Sequence, residues 1–519
     1  MKFSEAKRFL KSELAEKHND NYGSFQAAFN DLGVSFTGVQ IDSRRVSDGD
    51  VFFAYPGSSL DGRDYIDHAV SRGASAVVWE STGRVKPVAV NVPNFGWTEI
   101  QKIVGQFASR FYGNPSHLLK ICAVTGTNGK TTCAEWIAQA LVKLGLNSAS
   151  VGTLGIRSYG TTVEYDSLLG QTTPDAVTLQ QAFRKLVDGG VSGVAMEASS
   201  HALDQGRLDG TEIDVALFTN LTNDHLDYHG TIDEYGLAKS RLFSTPNLSK
   251  SVLNIDDEFG KEIADLLRSV GRNVVTYSYE NPLADVRVKN LFLDVSGAKF
   301  DLVTPWGVGE INSSLIGRFN VQNLIAVTSV LLSLGFKFPE VCNVIQKLQP
   351  VDGRLQKLLG GFSRSVYIDY AHTPDALRQT LSALNSIKQS DAKLICVFGA
   401  GGGRDSTKRF DMGEAVIKGA DVAIVTSDNP RFEDPKKIIS DIVADNVDGY
   451  LIEENREAAI NLAIEMSAPG DIVLIAGKGH EKYQDVRGKK IPFDDLAIST
   501  QVLRSIEGDR SASGVSVYV

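Results

Sequence analysis

Residues 121–141, ICAVTGTNGKTTCAEWIAQAL, constrain the fold more than any other stretch: an apolar run, a glycine-punctuated loop carrying a lysine, and a helix-forming run follow without a break. Strand, loop and helix in that order belong to an α/β sheet, and the loop reads as a phosphate cradle. Gly126 and Gly129 let the backbone turn its N–H groups inward, Lys130 supplies a point charge for the β- and γ-phosphates, and Thr131 offers a hydroxyl to Mg²⁺. The start of the helix adds its dipole to the same end. The strict phosphate-loop spacing is not met, because its first glycine falls on Val124; the form here is GTNGKTT. A plain glycine turn is the competing reading, but Lys-Thr-Thr after the second glycine has no packing rationale.

At 519 residues the chain exceeds one hydrophobic core, and three domains are expected. The 53 basic and 63 acidic residues leave a net charge of -10, which argues against a nucleic-acid surface. Phosphates are therefore expected to bind locally. Cys122, Cys133, Cys342 and Cys396 have the spacing of neither a disulfide framework nor a zinc site, and a reducing cytoplasm is expected. The first twenty residues interrupt their apolar positions with charges every few places, the pattern of a surface helix and not of a signal peptide. No apolar run approaches the roughly 20 residues needed to span a bilayer, so no membrane segment is expected.

The three expected domains are 1–117, 118–350 and 351–519. The first carries short β-type runs, GDVFFAYPG and ASAVVWE, and reads as a small α/β module. The second starts with the phosphate-loop strand and adds VSGVAMEASS and IDVALFTNL, an alternation predicting a doubly wound, mostly parallel sheet. The third offers SVYIDYAH, KLICVFGAGGG, DVAIVTSDNP and DIVLIAGKGHE, apolar strands ending in polar or glycine residues, where open α/β sheets place ligands.

Three constellations follow the loop. Glu197 ends an apolar strand in MEASSHALDQGRLDG, where a carboxylate can complete a Mg²⁺ shell opposite the loop hydroxyl. Asp224, His225, Asp227 and His229 cluster in NDHLDYHG ahead of a helix carrying Lys239. Alone, such histidines read as turn residues; behind a phosphate loop and Glu197 they read as part of a site. GRFNVQNLIAV opens a helix with Asn320 and Asn323, either of which caps it or reaches a nucleotide base.

GTNGKTT, the MEASSH strand end, NDHLDYHG with LAKSRLF, GRFN, YIDYAHTPDAL and AGKGHE, in that order between Ile41 and Glu481, resemble the Mur ligase family. The resemblance implies an ATP-dependent amide ligase of peptidoglycan precursor synthesis: an N-terminal module for the UDP end, a central ATPase, and a C-terminal Rossmann-like domain bringing the amino acid. It places ATP on Gly126, Thr127, Asn128, Gly129, Lys130, Thr131 and Thr132, with Asn320 and Asp369 as further contacts. Asp369 reads equally as a strand-end cap, and His372 lies beside it. Two Mg²⁺ ions are implied, one on Thr131 and Glu197, the other on His225 and Lys239. Lys239 is carbamylated in that pattern, and carbamylation would turn a cation that repels Mg²⁺ into an oxygen ligand.

The implied acceptor is UDP-N-acetylmuramoyl-L-alanyl-D-glutamate, on Ile41, Ser43, Ser58, Ser59 and Leu60 at its nucleotide end. Gln171, Thr172, Thr173, Ser199, Gln205 and Arg207 take the muramoyl dipeptide, with Gln171 standing where the family has asparagine. The implied amino acid is meso-2,6-diaminopimelate, on Arg404, Asp428, Asn429, Pro430, Arg431, Gly477 and Glu481. Diaminopimelate has a second carboxylate that lysine lacks, and an arginine fork can pair with it through two parallel hydrogen bonds. The alternatives are the lysine-adding ligase, a folylpolyglutamate-synthetase-like ligase and a nucleotide-driven switch. A monomeric cytoplasmic enzyme is expected.

Overall fold

Strands Gly38–Gln40 (β1), Asp50–Ala54 (β2), Ala76–Glu80 (β3) and Asn94–Trp97 (β4) form an all-parallel sheet in the order β1-β2-β3-β4. The computed structural model describes residues 3–15, 21–57, 60–83, 90–163, 171–444 and 447–508. Every residue of β2 and β3 is buried, so both read in the sequence as unbroken apolar runs. On one face Phe25 and Phe29 of the helix Asn21–Asn30 and Phe107 of the helix Ile100–Phe111 pack over Phe53. Phe29 and Phe107 meet nearly edge-on at 4.8 Å.

The helix Ser4–Ala15 does not join this module. Phe3, Ala6 and Leu10 enter the core of the next sheet, where Phe3 meets Phe259 edge-on at 4.8 Å, and Lys7 pairs with Glu262 at 2.8 Å. The apolar positions interleaved with charges thus form one buried stripe.

The central sheet has ten strands: Lys120–Thr125 (β5), Ser148–Gly152 (β6), Gly155–Tyr159 (β7), Gly193–Glu197 (β8), Val215–Phe218 (β9), Lys250–Asn254 (β10), Val274–Ser278 (β11), Val286–Asp294 (β12), Gly297–Thr304 (β13) and Gly307–Ser313 (β14). Their order is β14-β13-β12-β11-β10-β9-β5-β8-β6-β7. Strands from β12 through β6 run parallel; β7 closes one edge and β13 and β14 the other, all antiparallel. The expected doubly wound, mostly parallel sheet is therefore present. Alternate residues of β5 serve opposite cores: Cys122 and Val124 face the helices Lys130–Lys143 and Arg318–Ser333, while Ile121 and Ala123 face Ala176–Asp188 and Glu258–Ser269. The four cysteines are free, as their spacing predicts.

A third sheet combines Gln356–Lys357 (β15), Ser365–Asp369 (β16), Leu394–Phe398 (β17), Val422–Val425 (β18), Leu451–Ile452 (β19) and Ile472–Ala476 (β20) in the order β15-β16-β20-β17-β18-β19. All but β15 are parallel, and the hairpin Tyr483–Val486 (β21) and Lys489–Pro492 (β22) stands beside it.

Beneath this sheet Arg456 and Asp495 form a fully buried pair, with guanidinium nitrogens 2.9 and 2.7 Å from the two carboxylate oxygens. Arg456 Nη2 also donates to the carbonyl of Ala476 at the end of β20, at 2.9 Å. Arg456→Met leaves the Asp495 carboxylate buried without its partner. The expected loss is about 3–5 kcal/mol, measured from the urea midpoint, and a loss below about 1 kcal/mol would show that Asp495 finds another counter-charge.

Candidate active site

The carboxyl ends of β5 and β8 face those of β16, β17, β18 and β20 across a cavity of about 320 Å³. The central wall is the phosphate loop. At Gly126, φ is 148° and a Cβ would lie 1.9 Å from Thr219 Oγ1; at Gly129, φ is 85° and a Cβ would lie 2.7 Å from Asn323 Oδ1. Both positions require glycine. Asn220 holds the loop from behind, its carbonyl accepting from Thr127 N at 2.8 Å and its Oδ1 from Asn128 N at 2.9 Å. Lys130, Thr131 and Thr132 head the helix Lys130–Lys143, where no earlier turn supplies acceptors for their N–H groups.

Lys130 folds back on its own loop, Nζ donating to the carbonyls of Gly126 and Thr127 at 2.9 and 2.8 Å. Burial pulls its pKa below the ordinary lysine value. Lys239, on the helix Ile232–Ser240, reaches the same place: Nζ donates to the carbonyl of Gly126 at 2.8 Å and lies 4.0 Å from the ring centre of Tyr235. Burial and the neighbouring Lys130 charge drive its pKa well below the usual range.

Glu197 is buried, Oε1 accepting from Thr153 N at 2.7 Å and Oε2 from Thr153 Oγ1 at 3.3 Å. Gly152 makes room for it, since a Cβ there would stand 2.2 Å from Oε1. Thr131 Oγ1 accepts from Arg354 Nη2 at 2.9 Å, and the Arg354 guanidinium lies 4.3 Å from the ring centre of Tyr370. His225 adopts φ 55°, and burial lowers its pKa to about 3, which keeps the imidazole neutral with a lone pair for a ligand. Burial raises the pKa of the neighbouring Asp224, but Lys408, His225 and His372 outweigh it and hold the carboxyl below its ordinary value. Lys408 Nζ is 3.2 Å from Asp224 Oδ1 and joins the two walls.

Among the described residues no group of three His, Cys, Asp or Glu forms a metal cage. Mg²⁺ requires none, because phosphate oxygens and water commonly fill most of its shell. The hydroxyl of Thr131 and the carboxylate of Glu197 are oxygen donors of the kind it takes.

The C-terminal wall brings together Arg404, Asp428, Asn429, Arg431, Gly477 and Glu481, all lining the cavity. Asn429 Nδ2 donates to Glu481 Oε2 at 2.8 Å, and Asp428 Oδ1 accepts from Asn429 N at 2.7 Å. Pro430 is buried behind them. Arg431 holds left-handed backbone at φ 52°, and its Nη1 donates to the carbonyl of Gly402 at 2.6 Å. Such backbone strain at His225 and Arg431 is typical of ligand-facing positions.

Toward the first module, Arg207 Nη1 donates to Gln171 Oε1 and to the carbonyl of Thr173, both at 2.8 Å, and its Nη2 to Gln205 Oε1 at 2.7 Å. Thr173 Oγ1 lies 3.2 Å from Ser199 Oγ. Thr172 and Ser199 line the cavity, whereas Ile41, Ser43 and Leu60 sit on the first module away from it. Ser43 Oγ lies 3.0 Å from His68 Nδ1 and Leu60 is exposed. Ser58 and Ser59 lie outside the described residues.

One expectation changes in detail. Asn320 is not among the cavity-lining residues: its amide turns back to the carbonyl of Ile316 at 2.8 Å, and Asn323 lines the cavity instead. Asp369 faces the cavity but is also a strand-end cap, Oδ2 accepting from Leu355 N at 2.6 Å and Oδ1 from Ala371 N at 2.8 Å. Thr153, Arg354 and Lys408 were not singled out by sequence reasoning; each matters through a partner more than 40 residues away.

The chain matches three families in order: Mur ligase family, catalytic domain, over residues 35–112; Mur ligase middle domain over 124–331; and Mur ligase, glutamate ligase domain, over 353–479. It belongs to the Mur ligase family. It is 44% identical over 464 residues to the UDP-N-acetylmuramoyl-L-alanyl-D-glutamate–2,6-diaminopimelate ligase of Neisseria meningitidis serogroup A, covering 89% of this chain and 94% of that one. A solved structure of a ligase of the same description superposes with a TM-score of 0.64 at 35% identity, covering 91% of this chain and 95% of the other. Mycobacterium tuberculosis folylpolyglutamate synthase complexed with ADP shares the fold alone, at 18% identity, a TM-score of 0.59 and coverage of 71% of this chain and 90% of its own. No described helix is long and apolar enough to cross a membrane.

Proposed function

We propose that the protein is an ATP-dependent ligase joining meso-2,6-diaminopimelate to the D-glutamyl carboxylate of UDP-N-acetylmuramoyl-L-alanyl-D-glutamate. The observation that carries the reading is one cavity with a phosphate loop and Glu197 on one wall and Arg404, Arg431 and Glu481 on the other. Segments 1–117, 118–350 and 351–519 divide the work into holding the UDP end, activating the carboxylate and presenting the amine, with the helix Ser4–Ala15 of the first segment packed into the central core instead. In the first step the glutamyl carboxylate attacks the γ-phosphorus of ATP, forming an acyl phosphate and releasing ADP. The diaminopimelate amine then attacks the acyl carbon, and inorganic phosphate leaves.

Thr131 and Glu197 would hold one Mg²⁺, and His225 and a carbamylated Lys239 a second. Bound there, the ions neutralise phosphate charge during transfer. Lys130 adds its charge at the transferring phosphate, and the helix N-terminus orients the nucleotide. Lys239 suits carbamylation because CO₂ reacts with a neutral amine, and its pKa is depressed. Arg207 positions the acceptor from the far side. The chemistry requires no nucleophilic side chain, and positioning and electrostatics carry it.

Phosphate release in the presence of UDP-muramoyl dipeptide, with diaminopimelate or lysine added in parallel, tests the whole reading. Release with no acceptor requirement would overturn it. Arg431→Ala raises the KM for diaminopimelate roughly 10- to 100-fold, the range for losing hydrogen bonds to a charged group, with little change in the KM for ATP. Unchanged diaminopimelate kinetics in that variant, or equal ligation of L-lysine by the wild type, would overturn the assignment of Arg431 to a diaminopimelate pocket.

A further inference from the structure

Behind the amino-acid wall of the cavity stands a fully buried cation, Lys478, two residues past the end of β20. Its place along the chain is fixed by two glycines. Gly477 has φ 113° and a Cβ there would lie 2.6 Å from Asp428 Oδ2; Gly479 has φ 54° and a Cβ there would lie 2.7 Å from the carbonyl oxygen of Gly353. Lys478 Nζ donates to Asn429 Oδ1 at 2.9 Å and to Glu481 Oε2 at 3.0 Å. Asn429 Nδ2 donates to the same Glu481 oxygen at 2.8 Å.

Burying an ammonium carries a desolvation penalty of several kcal/mol, which only well-placed acceptors offset. Both acceptors of Lys478 are side chains that line the cavity, so the ordering they gain is spent at the pocket surface. Glu481 Oε2 takes two donors, while no hydrogen bond to Oε1 occurs among the described residues. Pinning one oxygen of a carboxylate fixes its plane and leaves the other for a ligand.

We propose that Lys478 is a positioning residue for the incoming amino acid: it locks Glu481 and Asn429 so that Glu481 presents its free oxygen to the ammonium at the distal end of diaminopimelate. This rests on the reading of that wall as the diaminopimelate pocket. Lys478 touches no reacting atom and acts through Glu481. It also keeps the pair balanced before the amino acid arrives, so that Glu481 does not stand as a lone, half-buried anion.

Lys478→Met keeps the length of the side chain and removes its charge and donors. The KM for diaminopimelate is expected to rise about 10- to 50-fold, the scale of a lost charge-assisted hydrogen bond, with the KM values for ATP and the UDP-muramoyl dipeptide staying within about twofold. A purely structural lysine would lower the amount of active enzyme and leave the KM for diaminopimelate unchanged, and that result overturns the proposal. In a Glu481→Ala background the same substitution should change that KM by less than about twofold, since the group it positions is gone; an undiminished effect also overturns the proposal. Should Lys478→Met fail to fold, Lys478→Gln, which retains a donor, is carried through the same cycle. Calorimetric titration of diaminopimelate into wild-type enzyme holding the dipeptide and a non-hydrolysable ATP analogue separates the two readings. If the wild type does not bind, pocket and inference both fall; if wild type and Lys478→Met bind equally, only the inference falls.

Discussion

Lys130→Ala turns over about 100- to 1,000-fold more slowly at saturating ATP, the scale for removing one preorganised charge contact from a transition state, while retaining the wild-type unfolding transition. Lys130 makes no contact that the fold depends on: among the described residues Nζ donates only to the carbonyls of Gly126 and Thr127 in its own loop. Those carbonyls park the ammonium where a γ-phosphate would draw it out. Burial has already lowered its pKa, so an arriving phosphate both pairs with the charge and stabilises it. Steady-state phosphate release and a thermal melt are the two measurements. A variant retaining more than about half the wild-type rate would sink the assignment of this loop to catalysis.

If Lys239 carries the proposed carbamate and ligates a metal, Lys239→Ala is expected to lose about 1,000-fold or more, because a metal-ligating oxygen supports several kcal/mol of transition-state charge stabilisation. Formate or acetate should restore part of the activity, by placing an oxygen donor where the carbamate stood. Alkylamines should not. That contrast separates a carbamate from a lysine acting as a cation. The pH dependence has a definite sign: CO₂ adds to the neutral amine and a proton is released, so carbamylation is lost as pH falls. Burial and Lys130 shift that loss to lower pH than for an exposed lysine, because they favour the neutral amine. A ¹³CO₂-labelled sample without a carbamate resonance, together with full activity in CO₂-depleted buffer, would remove the claim.

Legibility in the sequence followed burial. β2, β3, β8, β9, β16, β17, β18 and β20 are strands in parallel sheets buried on both faces or nearly so, and each reads as an apolar run. β13 and β14, and β12 which pairs antiparallel with β13, went unread because one face is solvated. Lys299 and Glu310 point outward there beside exposed Phe292 and Val308, which breaks both the run and the alternation. In the site, the phosphate loop was legible because its chemistry is local, and Glu197 because it ends a strand. Arg354 and Lys408 were not, since a lone basic residue in a loop carries no signal until the fold sets it against Thr131 or Asp224. Asn320 and Asn323 lie three residues apart at the start of one helix, too close in angle for spacing to choose between them.

The cavity is divided along a sheet boundary: the groups proposed to activate the carboxylate sit at the ends of the central strands, and those proposed to choose the amine sit on the C-terminal sheet. On the proposed assignment, selectivity would drift with little retuning of phosphoryl transfer, except through Lys408 and Arg354, which reach across to Asp224 and Thr131. Changes elsewhere in the loops after β17, β18 and β20 would then alter which amine is admitted, while the phosphate loop and Glu197 belong to a different hydrogen-bonded sheet. The same division exposes each half to separate failure. On that assignment, a lesion in one sheet should leave a protein that still binds the other half's partner, and mixed preparations of two such half-dead variants should not complement, because among the described residues no strand is exchanged between the sheets and each turnover would need both walls on one chain.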